Sequence, residues 1–151
     1  MSAISEVLQA DPAVDDVLAR HHALMRSQSP AESCHVMTGD ELRAAGARLF
    51  ALREAGRVLA IGALKPFGDA MELKSMHTIA EARGAGVARR LLVHLVAQAQ
   101  GAHAKALYLE TGSGAAHMAA RALYERAGFV LCPPFGDYTE DPESVFMTRR
   151  I

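Results

Sequence analysis

Tryptophan is absent from this chain of 151 residues, and aromatic residues make up only 5% of it. So little ring surface cannot stack a run of bases. No Lys/Arg run occurs and the formal net charge is −1, which argues against nucleic acid or an anionic membrane as a partner. No apolar stretch approaches the ~18 residues needed to span a bilayer. The start, Met1-Ser-Ala-Ile-Ser-Glu, lacks the charged and apolar regions of a secretory signal, so a cytoplasmic protein is expected. The only two cysteines, Cys34 and Cys132, lie far apart without metal-ligand spacing. They read as reduced thiols, and no metal site is expected.

What is present is an ordinary balance for one folded domain spanning residues 1–151: 50% hydrophobic and 22% charged residues, enough to bury a core. The most informative stretch is Arg83-Gly-Ala-Gly-Val-Ala88. It follows a strand-like segment, Met71 to Ile79, and opens a patterned helix, Val87 to Gln100. Two glycines at a helix start allow close backbone approach and leave a row of unpaired N–H groups. The helix dipole favours an anion there, and Arg83, Arg89 and Arg90 add charge. The run suits a pyrophosphate. It is not a dinucleotide fingerprint, because Arg89 stands where the third glycine belongs, and no Gly-Lys-Ser/Thr follows to make a Walker A loop.

The spacing Arg-x-x-Gly-x-Ala resembles the coenzyme A signature of the GNAT superfamily of N-acetyltransferases. Downstream, Ala120-Arg-Ala-Leu-Tyr124-Glu-Arg-Ala-Gly-Phe129 resembles a second segment of that superfamily, A-x-x-L-Y-x-x-x-G-F. The tail, Pro133-Pro-Phe-Gly-Asp-Tyr138 and Asp141-Pro-Glu-Ser-Val-Phe146, resembles a group of small bacterial GNAT proteins. The resemblance covers roughly residues 58 to 150 and rests on three ordered motifs.

Patterning gives an alternating α/β order. A short strand, 2–7, precedes a helix capped by Asp11 and Pro12 and running to about Met25. Residues 27–39 read as a loop and 40–45 as one or two helical turns. Strands 48–53 and 57–64 form a hairpin around Glu54-Ala-Gly56, and Lys65-Pro-Phe-Gly-Asp69 is a turn. Val87, Leu91, Leu92, Leu95, Val96 and Ala99 give the next helix a sheet-facing stripe that stops at Gly101. Ala106 to Leu109 suits a strand covered on both faces. A helix over 115–127 and strands 129–132 and 144–150 follow. The expected fold is α/β: a GNAT-type central twisted mixed sheet with helices on both faces.

The resemblance implies an acetyl-CoA-dependent N-acetyltransferase acting on a primary amine, a small molecule or a protein amine, by direct attack in a ternary complex. It implies that Arg83, Gly84, Ala85, Gly86, Val87 and Ala88 seat the pyrophosphate. The backbone of Met76, His77 and Thr78 would hold the pantetheine and polarise the thioester carbonyl, in a gap between two splayed strands. His117 stands where an asparagine often helps hold the coenzyme. Tyr124 would protonate the leaving thiolate; a half-buried tyrosine packed on a helix is the plainer reading. Glu72 would serve as base. Alternation places it on one face with Lys74, Met76 and Thr78, and an ion pair with a nearby cation would equally account for it. Glu110 is the rival carboxylate, and a chain of waters the rival to both.

Other features read more blandly. His21-His22 are neighbours on a helix and point apart, so they make poor metal ligands and better groove residues. Ser33-Cys-His35 has no triad partner, and the His77 side chain lines a groove or packs on a helix. Asp137, Glu140, Asp141 and Glu143 are a solvated face or a lure for a cationic amine. Small relatives pair through sheet edges or helices, which leaves a homodimer open. A non-catalytic acyl-CoA sensor of the same fold is the alternative function.

Overall fold

The computed structural model describes residues 2–30, 33 and 35–151. The expectation for Cys34 therefore lies outside the described residues. Seven strands make one sheet: β1 (Ser2–Val7), β2 (Arg48–Glu54), β3 (Arg57–Phe67), β4 (Ala70–Thr78), β5 (Ala106–Gly112), β6 (Val130–Leu131) and β7 (Ser144–Arg150). Their order is β1-β2-β3-β4-β5-β7-β6. Every neighbouring pair is antiparallel except β4 and β5, which run parallel and need the crossover that α3 (Val87–Gly101) supplies. The α/β fold expected from the sequence is the observed one.

Helices cover both faces. On one, α3 buries Val87, Leu91, Leu92, Leu95, Val96 and Ala99 against Phe50, Leu64, Leu73 and Leu107 of the sheet. Tyr124 of α4 (Met118–Arg126) and Phe129 extend the same core. On the other, α1 (Pro12–Gln28) and α2 (Gly39–Ala44) bury Val14, Val17, Leu18 and Leu42 against Leu49, Ile61 and Ile79. The helices of that second layer pack chiefly on β2, β3 and β4 and less on the β5–β7 end. There the tail does the covering: Phe135 and Tyr138 pack on Phe146, and Phe135 on Phe67 and Tyr108. No helix among the described residues is long and apolar enough to cross a membrane.

Boundaries moved where local chemistry was underread. Helix α1 runs three residues further, to Gln28, and the Ser29 N–H closes it on the Met25 carbonyl. Helix α2 starts at Gly39 because Thr38 and Glu41 form a capping box. Residues 65–69 are mostly not a turn. Strand β3 continues through Pro66, which needs no ladder N–H, and Gly68 and Asp69 alone make the hairpin, with φ +56° at Gly68. Strand β5 runs on to Gly112, and the 115–127 segment is a 3₁₀ turn (Ala115–His117) followed by α4.

Candidate active site

The site is built by two irregularities in β4. The first is a bulge. Ile61 pairs with His77 but Ala63 with Lys74, so Ser75 and Met76 together oppose Gly62. Ser75 takes φ +56° to make it. Gly62 is required here for space: a Cβ would stand 2.6 Å from the Met76 sulfur and 2.8 Å from a Leu95 methyl. The bulge resets the alternation. Met76 turns toward α3, while His77 joins Glu72 and Lys74 on the α1 side. Simple alternation, which placed Met76 and Thr78 with Glu72, fails at this step.

The second is a splay. Strands β4 and β5 pair only through Met71–Leu107, Glu72–Tyr108 and Leu73–Leu109. Beyond Leu73 the two diverge, leaving the Lys74–Thr78 edge of β4 open toward β5. At the end of β4 lies the glycine turn. Gly84 and Gly86 adopt φ +83° and +76°, a region that costs other residues but not glycine. No backbone acceptor takes the N–H of Gly84, Ala85 or Gly86, and the first turn of α3 adds Val87 and Ala88. Arg83 donates Nε to the Thr78 carbonyl at 3.3 Å and ties the turn to the strand.

A cleft of about 130 Å³ opens along the splay. Glu72, Lys74, Glu110, His117, Tyr124 and Tyr138 are among its walls. Glu72, only 6% exposed, accepts from the Tyr138 hydroxyl at 2.5 Å and from Lys74 Nζ at 3.3 Å. Lys74 also donates to the Tyr138 hydroxyl at 3.0 Å and to the His35 carbonyl at 3.5 Å. Glu110 has no salt-bridge partner among the described residues. Burial holds its pKa above the usual carboxylate value, the Glu72 charge adds to that, and the nearby Ser144 hydroxyl and the His35 and Lys74 charges oppose it. Tyr124 is buried with its ring 5.8 Å from Phe129. Burial, then the Glu110 charge, pushes its pKa far up, so it stays a proton donor at neutral pH. No described group hydrogen-bonds its hydroxyl.

His117 lies against Gly112, where its ring fills the space of a Cβ, and its buried Nε2 has no partner. Such an orphan on a cleft wall is a place for a ligand hydrogen bond. Across the cleft, His21 and His77 share a hydrogen bond between their Nδ1 atoms at 3.3 Å. Burial is the first cause that holds His21 down at about 3 and His77 at about 4. Both rings are neutral in the fold and charged only when unfolded below the usual histidine value. Stability is therefore full above about pH 6.5 and lost as pH falls toward 4, at about 2 kcal/mol by about pH 5 for the more deeply buried His21 and less for His77. Urea midpoints measured across that range should fall on acidification, and His21→Phe should flatten the slope.

Among the described residues no group of three His, Cys, Asp or Glu side chains is placed to hold a metal. His22 instead bonds the Met37 carbonyl at 2.7 Å. A second groove, of about 400 Å³, lies between α1 and the β2–β3 turn, but its Arg20 and Arg57 are paired with Glu81. Tyr138 is the side chain that residue-by-residue reading missed, although the tail motif around it was legible. Its partnership with Glu72 and Lys74 spans more than sixty positions and leaves no local pattern.

The frame of the site is an open mixed sheet splayed at its one parallel pair, with a glycine turn opening the helix that joins the two strands. The sequence matches the profile of the Acetyltransferase (GNAT) family over residues 14–129, and the chain belongs to that family. It is 38% identical over 147 residues to "Uncharacterized N-acetyltransferase YsnE" of Bacillus subtilis (strain 168), covering 91% of this chain and 97% of that one. It is 39% identical over 141 residues to "Uncharacterized N-acetyltransferase YedL" of Escherichia coli (strain K12), covering 93% and 89%. Among solved structures, a putative acyl-CoA N-acyltransferase from Klebsiella pneumoniae superposes with a TM-score of 0.81 at 26% identity, covering 99% of this chain and 97% of that one.

Proposed function

We propose that this protein transfers an acetyl group from acetyl-CoA to a primary amine, with both substrates held in the splay of β4 and β5. The observation that carries the reading is the half-buried Glu110, without an ion pair among the described residues, sharing one cleft with the undissociated Tyr124. The free N–H groups of residues 84–88, with Arg83 beside them, suit the pyrophosphate. The open β4 edge from Met76 to Thr78 suits the pantetheine amides and offers an N–H to the thioester oxygen. The unpartnered His117 Nε2 is placed for one more hydrogen bond to the coenzyme.

Acetyl-CoA, once bound, supplies an activated acetyl thioester; the chain supplies proton management. Glu72 sits where a base was expected, but Lys74 and Tyr138 already hold its Oε2. Those two contacts leave that oxygen little room for an acceptor amine. The proposal for the base therefore passes to Glu110, with Glu72 anchoring Tyr138 and Lys74. The acceptor ammonium loses one proton to solvent through Glu110. Glu110 then takes a second as the N–C bond forms and the C–S bond breaks, and Tyr124 gives its own proton to sulfur. Return of the proton from Glu110 to Tyr124 resets the pair.

The test is release of free thiol from acetyl-CoA across a panel of amines. Coenzyme binding without thiol release from any amine would leave a sensor in place of an enzyme. For an accepted amine, kcat/KM should rise along an acid limb lying above the usual carboxylate range, since the ionised form of Glu110 is the working one. Glu110→Gln should remove that limb and lower kcat/KM by about tenfold.

A further inference from the structure

We propose that the acceptor is a primary amine with no carboxylate on the carbon that bears the nitrogen, so that free α-amino acids are poor substrates. The inference rests on the reading above and narrows it to a substrate class.

The cleft has no free Lys or Arg among the described residues to pair with such a carboxylate. Lys74 is its one Lys or Arg among the described residues. Its three N–H groups go to Glu72, Tyr138 and the His35 carbonyl. Arg121, the next cation along the chain from β5, donates to the carbonyls of Gly112 and Gly114. Ser29, Ser33, His35, Val36 and Tyr138 add to the cleft wall, and the sequence over 27–38 and 132–143 contains no Lys or Arg, the second stretch carrying Asp137, Glu140, Asp141 and Glu143. The two segments are joined by the Ser33 hydroxyl, which donates to Asp141 at 2.6 Å.

Charge balance gives the same answer. Lys74 is paired with Glu72, and Glu110 has no ion pair among the described residues, so an acceptor ammonium would supply one. The carboxylate of an α-amino acid lies one carbon from its nitrogen. Seating that nitrogen at Glu110 brings two carboxylates together in a largely buried site, which like-charge repulsion forbids. A hydrocarbon, hydroxyl or peptide continuation carries no such penalty, and Met25 and Val36 give the wall apolar surface.

The experiment compares decarboxylated pairs in which the α-amine is the only amine: phenethylamine against phenylalanine, tyramine against tyrosine, ethanolamine against serine. Thiol release from acetyl-CoA is followed with the full chain. In at least one pair the amine should exceed its amino acid in kcat/KM by about tenfold or more. In Glu110→Gln both members should slow, and their ratio should shrink because the repelling charge has gone. Equal or better use of the amino acids overturns the substrate class and leaves the enzyme reading standing. An unchanged ratio in Glu110→Gln overturns the electrostatic basis. No thiol release from any amine overturns the enzyme reading, and this inference with it.

Discussion

Tyr124→Phe is expected to lower kcat by about 10²–10⁴-fold while leaving coenzyme affinity and fold intact. The ring is part of the α3 core and stacks edge-on with Phe129, and phenylalanine keeps both contacts. Only the hydroxyl is lost. That hydroxyl has no described hydrogen-bond partner, so its removal orphans nothing. A merely structural tyrosine would show the opposite signature, a small change in melting temperature and none in rate. The two are separated by measuring thiol release and the thermal shift caused by coenzyme in the same preparation. A kcat within about threefold of wild type would remove Tyr124 from the proton path.

Much of this architecture was readable from local pattern. The stripe from Val87 to Ala99 has helical period, so it defined α3 and its buried face without further information. The glycine turn was equally plain, since two glycines before such a stripe require a tight approach to the helix. What could not be read depends on contacts distant in the chain. Nothing around Ser75 announces a bulge, because a serine at φ +56° is chosen by the fit of Gly62 against Met76 and Leu95. That one inserted residue decides which face of the sheet each later side chain of β4 takes, so alternation assigned Met76 to the wrong side. The different surroundings of Glu72 and Glu110 were likewise hidden. Both are acids on strands in the sequence, and only the fold delivers Lys74 and Tyr138 to the first and neither to the second.

The tail shows how motif and structure inform each other. Pro133 to Tyr138 resembles a segment of small GNAT proteins, yet its letters alone gave it no work. In the fold it covers the sheet end on which α1 and α2 pack less, and it carries Tyr138 to the cleft floor. Covering the sheet and lining the cleft are here the same act.

Gly86→Glu is expected to abolish coenzyme binding, by about a hundredfold or more, with little loss of stability. At φ +76° a residue with a Cβ costs about 1–2 kcal/mol. Space is not the obstacle, since a Cβ there meets nothing within 4 Å. The added carboxylate stands at the N-terminus of α3, where the helix dipole and the free N–H groups favour an anion and offset part of the strain, by about 0.3–1 kcal/mol. The variant thus folds because its own carboxylate occupies the place proposed for the pyrophosphate. Gly86→Ala carries the strain without the charge, so it separates the two effects. Alanine should weaken coenzyme binding only modestly and glutamate should eliminate it, as read by the thermal shift with acetyl-CoA. If glutamate and alanine weaken it equally, backbone geometry alone matters; if neither does, the coenzyme lies away from this turn.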